Sequence, residues 1–247
     1  MQQFLPNKAN FLIWINMAVI ITGLYLFNWQ PVSIVFAYVF ETIIIGLIHI
    51  VKLWMVYKYG KNQESVKTTR LPKNLSGIGI IPFFFTHYFL FVTVQSIFIF
   101  SFMSKHVPGI SDNGLDLFKN YFYLFSQTDM IMAFVCIGLA NIGYAMRNFF
   151  IPKRYQDFTV IALFLQPYVR IFVQQLLSII PAFLFFFMND GKIIALILII
   201  ARTTLDLYFV ALKQNVALRE QLVRSITQNG KLKTIPITEK HIDLLLE

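Results

Sequence analysis

Long uninterrupted apolar stretches decide what this chain can become. Residues 11–27, FLIWINMAVIITGLYLF, are the first of six, and the stretches run to about 18 residues or more, enough to cross a hydrocarbon core of roughly 30 Å as helices. Barrel strands fit worse, because they are about ten residues long and alternate in polarity, and these stretches do not alternate. Composition agrees: 57% of the 247 residues are hydrophobic, 27 are Phe, and 13% are charged, against about 25% charged in a soluble domain. The expectation is an all-α polytopic membrane helix bundle.

Six spans are expected at about 10–28, 31–55, 77–103, 129–147, 158–188 and 192–211. The loops after spans two and four (KYGKNQESVKTTRLPKN and RNFFIPKRYQD) are basic, whereas those after spans three and five are balanced or neutral. Placing the basic side in the cytoplasm puts 16 Lys and Arg there, three outside (Lys105, Lys119, Lys192) and two, Arg170 and Arg202, within spans. Both termini are then cytoplasmic. Residues 117–128, LFKNYFYLFSQT, are too short to cross and suit a helix lying at the outer interface. After a transmembrane domain of residues 1–211, residues 212–247 open with Leu212, Val216, Leu222, Val223 and Ile226 at helical spacing, a cytoplasmic amphipathic tail.

The start of the chain resembles a weak signal peptide without a small-residue cleavage site, and is expected to remain as the first helix. Cys136, the single cysteine, excludes an internal disulfide and a cysteine-based zinc site. The net charge of +9 follows the loops, so it reads as a topology signal and an attraction to anionic lipid rather than to nucleic acid. The expected setting is a prokaryotic cytoplasmic membrane, crossed several times. Membrane lipids, a second copy or another membrane protein are the expected partners.

Ionisable groups inside spans cost about 2.5–3.5 kcal/mol on insertion scales, so they turn inward and pair. Glu41, His87, Arg170 and Arg202 fall near mid-depth, and Asp206 and His49 in the inner third. Arg202 and Asp206 are four residues apart and share a helix face, as do Gln166, Arg170 and Gln174. Pro167 frees the carbonyl of residue 163 as a further acceptor. Arg170 is expected to hold Glu41 or Asp206 inside the bundle; the competing role is a clamp that only fixes packing. His87 reads more readily as a structural histidine than as a ligand, and His49 as an interfacial group beside Lys52. The Phe residues are expected to face lipid, and Gly138 and Gly143 to allow close helix packing. No phosphate loop, HExxH or nucleophile elbow is present.

In YVFETIIIGLIHIVKLW, IPFFFTHYFLFVTVQSIFIF, QPYVRIFVQQL and ARTTLDLYFVALK the chain resembles a family of polytopic prokaryotic membrane proteins that forms a domain of unknown function. The resemblance assigns to the family pattern Glu41 and Lys52, the pair His87 and Tyr88, Pro167, Tyr168 and Arg170, and Asp206. It implies further histidines where this chain has Gln95, Asn141, Gln175 and Val210. Inward histidines with carboxylates suit a transition metal or haem, and Gln and Asn are poor ligands for either. The resemblance therefore implies a divergent member that keeps a polar pocket and lacks most of those ligands.

The candidate site is Glu41, His87, Arg170, Gln175, Arg202 and Asp206, with Lys52, Tyr88, Gln95, Asn141 and Tyr168 around it. His87, Glu41 and Asp206 are the only candidates for holding a metal, and the sequence names no cofactor. The favoured function is binding or transport of a small polar or ionic ligand, helped by Pro82, Pro167 and Pro181, which can break helices and expose carbonyls. The alternatives are a membrane-embedded enzyme, metal- or haem-dependent and acting on a lipid or quinone, with His87 as acid or base, and a structural or assembly protein.

Overall fold

The structure, a computed structural model, describes residues 4–60, 77–105, 107–165, 184 and 191–215, and every regular element among them is helical. In chain order these are α1 (Phe11–Tyr25), α2 (Pro31–Tyr59), α3 (Ile80–Met103), α4 (Leu117–Phe125), α5 (Thr128–Ala145), α6 (Val160–Leu165) and α7 (Gly191–Gln214). Four segments are long and apolar enough to cross a membrane: Pro31–Tyr59, Ile80–Met103, Thr128–Phe150 and Gly191–Leu212. The α1 helix is apolar but only 15 residues long, about 22 Å at 1.5 Å per residue. Short α6 opens the expected fifth span, of which most lies outside the described residues, as does the tail beyond residue 215.

Local chemistry sets the boundaries. Asn28 takes a left-handed φ of 51°, a conformation that Asn tolerates better than most residues. The turn it makes lets Trp29 donate its N–H to the Gly23 carbonyl at 2.9 Å. Pro31 then occupies the first turn of α2, where its missing N–H costs nothing. Pro82 likewise sits in the first turn of α3, which starts at Ile80, so it breaks no helix. That removes Pro82 from the expected helix breaks; Pro167 and Pro181 lie outside the described residues.

The centre of the bundle is α2, which packs against α3, α5 and α7, while α1 lies on α5 and α7. Residues 33–42 of α2, ten in a row, are buried all round, as expected of a helix surrounded by others. Two apolar cores result. One, at the end carrying the α1–α2 turn, contains Ile34, Phe36, Phe40, Phe100, Ile137 and Ile199. The other contains Leu53, Phe84, Tyr88, Val92, Phe149 and Leu163. Phe36 stacks on Phe100 with centroids 5.2 Å apart, and Phe40 meets Tyr121, Phe125 and Phe134. Part of the Phe content therefore builds the interior instead of facing lipid, because aromatic faces fill the space between α2, α3 and α4.

The short α4 packs on α3 and α5 beside the first core, with Asn120 and Leu124 buried and Phe118 and Phe122 exposed. Ser96 donates to the Val92 carbonyl at 2.7 Å, so the Tyr121 hydroxyl, paired with the same Ser96 oxygen, is the donor to it. Burial pushes the Tyr121 phenol up from its ordinary value, outweighing the lowering by Ser96, and keeps that donor proton in place. At the same end Asp129, in the first turn of α5, accepts the Gln30 N–H at 2.8 Å and the Ser33 hydroxyl at 2.9 Å. One carboxylate thus serves the starts of two helices, where negative charge is favoured. Asp129→Ala is expected to cost about 1–2 kcal/mol of stability, on the scale of a lost helix cap, measured by equilibrium unfolding in detergent.

Candidate functional site

Between the two apolar cores lies a polar layer. Glu41 follows Phe40 on α2, Asn141 follows Ile137 by one turn on α5, and Arg202 comes three residues after Ile199 on α7. Gln95 of α3 falls between Val92 of one core and Ile99 of the other. Its depth agrees with the α2–α3 register, in which Phe36 faces Phe100 and the Tyr88 hydroxyl donates to the Thr42 carbonyl.

Glu41 is 3% exposed and Arg202 5%. The Arg202 guanidinium donates from Nη2 to Glu41 Oε2 at 2.6 Å. Asn141 Nδ2 donates to Glu41 Oε1 at 2.8 Å and to the Ile137 carbonyl of its own helix at 2.9 Å. Both carboxylate oxygens are therefore held by groups from two different helices, which offsets the cost of taking the charge out of water. Arg202 Nε lies 3.6 Å from Asp206 Oδ2 one turn on, and that carboxylate side chain keeps 19% of its exposure. Arg202 Cζ also stands 5.9 Å from the Tyr38 ring centroid, within cation–π range. Arg202 bridges two carboxylates, the tight contact being across helices and the looser one along its own.

Other candidates lie elsewhere. His87 is half-buried and meets Phe83 and Phe91 along α3, centroids 5.7 and 4.9 Å away. Tyr88 is buried one residue on and packs over Gly46 of α2, where a Cβ would collide with its ring. Lys52 is half-buried with Nζ 4.9 Å from the Phe149 centroid, in the second apolar core. His49, expected at the interface, is 5% exposed with its ring 4.8 Å from that of Phe84, since α2 runs on to Tyr59 and holds it against the second apolar core. Arg170, Gln175, Tyr168, Gln166 and Gln174 lie outside the described residues. Among the described residues no three His, Cys, Asp or Glu side chains gather as a metal site would require. Of the two glycines expected at a close approach, a Cβ at Gly138 would come within 3.1 Å of Ile44 Cδ1, and one at Gly143 would face open space.

Gln95 stands out. It is 4% exposed, and among the described residues neither its Oε1 nor its Nε2 has a hydrogen-bond partner. Sequence reasoning overlooked Tyr38 and Asp129; an aromatic one turn before Glu41, and an acid at the first turn of α5, were the available signals.

The profile of a family of unknown function, DUF6498, matches residues 1–223. The chain belongs to the DUF6498 family. All four segments that carry the resemblance noted from the sequence lie within that match. The polar cluster of this DUF6498 member draws Glu41, Asn141, Arg202 and Asp206 from helices spread over most of the matched length. No curated protein and no solved structure matches the chain.

Proposed function

We propose that this DUF6498 protein is a multi-pass protein of a prokaryotic cytoplasmic membrane that binds, and passes across the bilayer, a small polar or ionic ligand at the polar layer between its two cores. The observation that carries the reading is Gln95. An unpaired buried amide costs about 1–3 kcal/mol per group, and more where no water reaches it. A carboxamide with both ends unmet among the described residues, level with a buried ion cluster, is most simply explained as a ligand group. Within the cluster, Glu41 is committed to Arg202 and Asn141 as a frame, and Asp206, whose side chain keeps 19% of its exposure, is the more open acid. Asp206 is therefore the group assigned to exchange a proton or cation. Basic residues Lys52, Lys58, Arg147, Lys153 and Arg154 gather at the end opposite the α1–α2 turn, which supports both termini being cytoplasmic and a total of six spans.

The test uses the smallest ion that Asp206 can take. Proteoliposomes carrying a pH-sensitive dye are expected to take up protons under an imposed potassium diffusion potential faster than empty vesicles. Asp206→Asn is expected to lower that rate about tenfold with the melting temperature nearly unchanged. Equal proton uptake in the variant, or none above empty vesicles, would sink the reading and leave the cluster as a packing clamp.

A further inference from the structure

A groove runs between α1 and α5 near the end of the bundle that carries the α1–α2 turn. Its volume is about 490 Å³, and its walls include Ala18, Val19 and Thr22 of α1, Trp29 of the turn, and Val135 and Cys136 of α5. Trp29 is pinned there: its own N–H is bonded to the Gly23 carbonyl, and its indole lies so close to Gly23 that a Cβ would have no room. Among the described residues no charged side chain lines the groove. Its flanks, Val19, Ile131, Met132 and Val135, are among the exposed large apolar side chains and belong to spans or to apolar α1.

We propose that this groove seats one acyl chain of a bilayer phospholipid. Three features favour that occupant. First, the groove opens onto the lipid-facing surface, so whatever fills it comes from the hydrocarbon phase; an ion or a sugar would have to shed its water for walls that are almost wholly apolar. Second, an unfilled void at this depth loses dispersion contacts on all its walls, and its volume lies within the roughly 300–1,000 Å³ usual for ligand sites. Third, α1 spans only about 22 Å, short of a core of roughly 30 Å, so the bilayer must adjust beside it. A chain held between α1 and α5 fills that place, and Trp29 at the end of the groove stands where an indole meets headgroups well. The inference is independent of the ion cluster.

Cys136 is the single cysteine of the chain and lines the groove, so it reports on occupancy without engineering. Full-length protein extracted in mild detergent is expected to carry one phospholipid per chain by native mass spectrometry. Ala18→Trp, which fills the groove from α1, is expected to lower the retained fraction about tenfold. On the native chain, stripping lipid with a harsher detergent is expected to speed Cys136 alkylation by N-ethylmaleimide about tenfold, and adding back phosphatidylglycerol to slow it again; this arm decides the matter if Ala18→Trp does not fold. Equal phospholipid retention in Ala18→Trp, or alkylation indifferent to lipid, would overturn the proposal. So would an oxidative Cys136 to Cys136 cross-link between chains in native membranes, which assigns the face to a second copy.

Discussion

Arg202→Met is expected to lower the stability of the bundle by about 3–5 kcal/mol, the scale for removing one partner of a buried ion pair. The loss comes less from the 2.6 Å contact itself than from what remains. Glu41, 3% exposed, would keep only Asn141 as a described donor and stay buried with an uncompensated charge. Removing both charges separates the two contributions. In Glu41→Met/Arg202→Met no charge of the tight pair is left buried, and similar apolar volume replaces it, a change that is often neutral or stabilising. The double variant is therefore expected to recover most of the loss in equilibrium unfolding in micelles. Full recovery in stability with loss of proton uptake in vesicles places the pair in the function. A single variant as stable as the native chain would mean that the pair is not held in its buried, ionised form.

Much of the architecture was legible because it follows from the length and polarity of single segments. Expected spans at 31–55, 77–103 and 129–147 lie within a few residues of helices 31–59, 80–103 and 128–150, and the short aromatic segment after span three forms α4. The capacity of α2 to surround itself with neighbours was less legible. An all-apolar helix presents no polar face, so its sequence does not distinguish lipid from protein around it. The same ambiguity led the Phe residues to be read as lipid-facing, although Phe36, Phe84 and Phe100 are buried. For the polar layer, cost was the informative signal: Glu41, Arg202 and Asp206 stood out because charge in a span demands a partner. Which charges meet was not legible. The i to i+4 spacing points to Arg202 and Asp206, yet the shorter contact runs from Arg202 to Glu41, 161 positions away, fixed by how α2 and α7 register in the bundle. Asp129 escaped notice for a related reason: its partners, Gln30 and Ser33, belong to a different helix start.

The second large effect is expected just below that layer, where Tyr88 of α3 packs over Gly46 of α2. Gly46 lies under the Tyr88 ring, and a Cβ at that position would overlap the ring itself rather than the tip of a flexible chain. Tyr88 has nowhere to retreat: it is 1% exposed, stacks on Phe84 at 5.3 Å, and donates its hydroxyl to the Thr42 carbonyl. Gly46→Leu must push the two helices apart or swing Tyr88 out of its seat. Overpacking of this kind costs about 1–3 kcal/mol, and a lost buried hydrogen bond adds about 1 kcal/mol. Tyr88→Phe, which keeps the ring and removes the hydroxyl, isolates the smaller part and is expected to cost only that last amount. Because Thr42 adjoins Glu41 on α2, displacing Tyr88 also shifts the helix that carries the buried carboxylate. Gly46→Leu is therefore expected to reduce proton uptake in vesicles as well as stability, while Tyr88→Phe leaves uptake near that of the native chain. A Gly46→Leu protein that unfolds at the native denaturant midpoint would refute the close approach of α2 and α3.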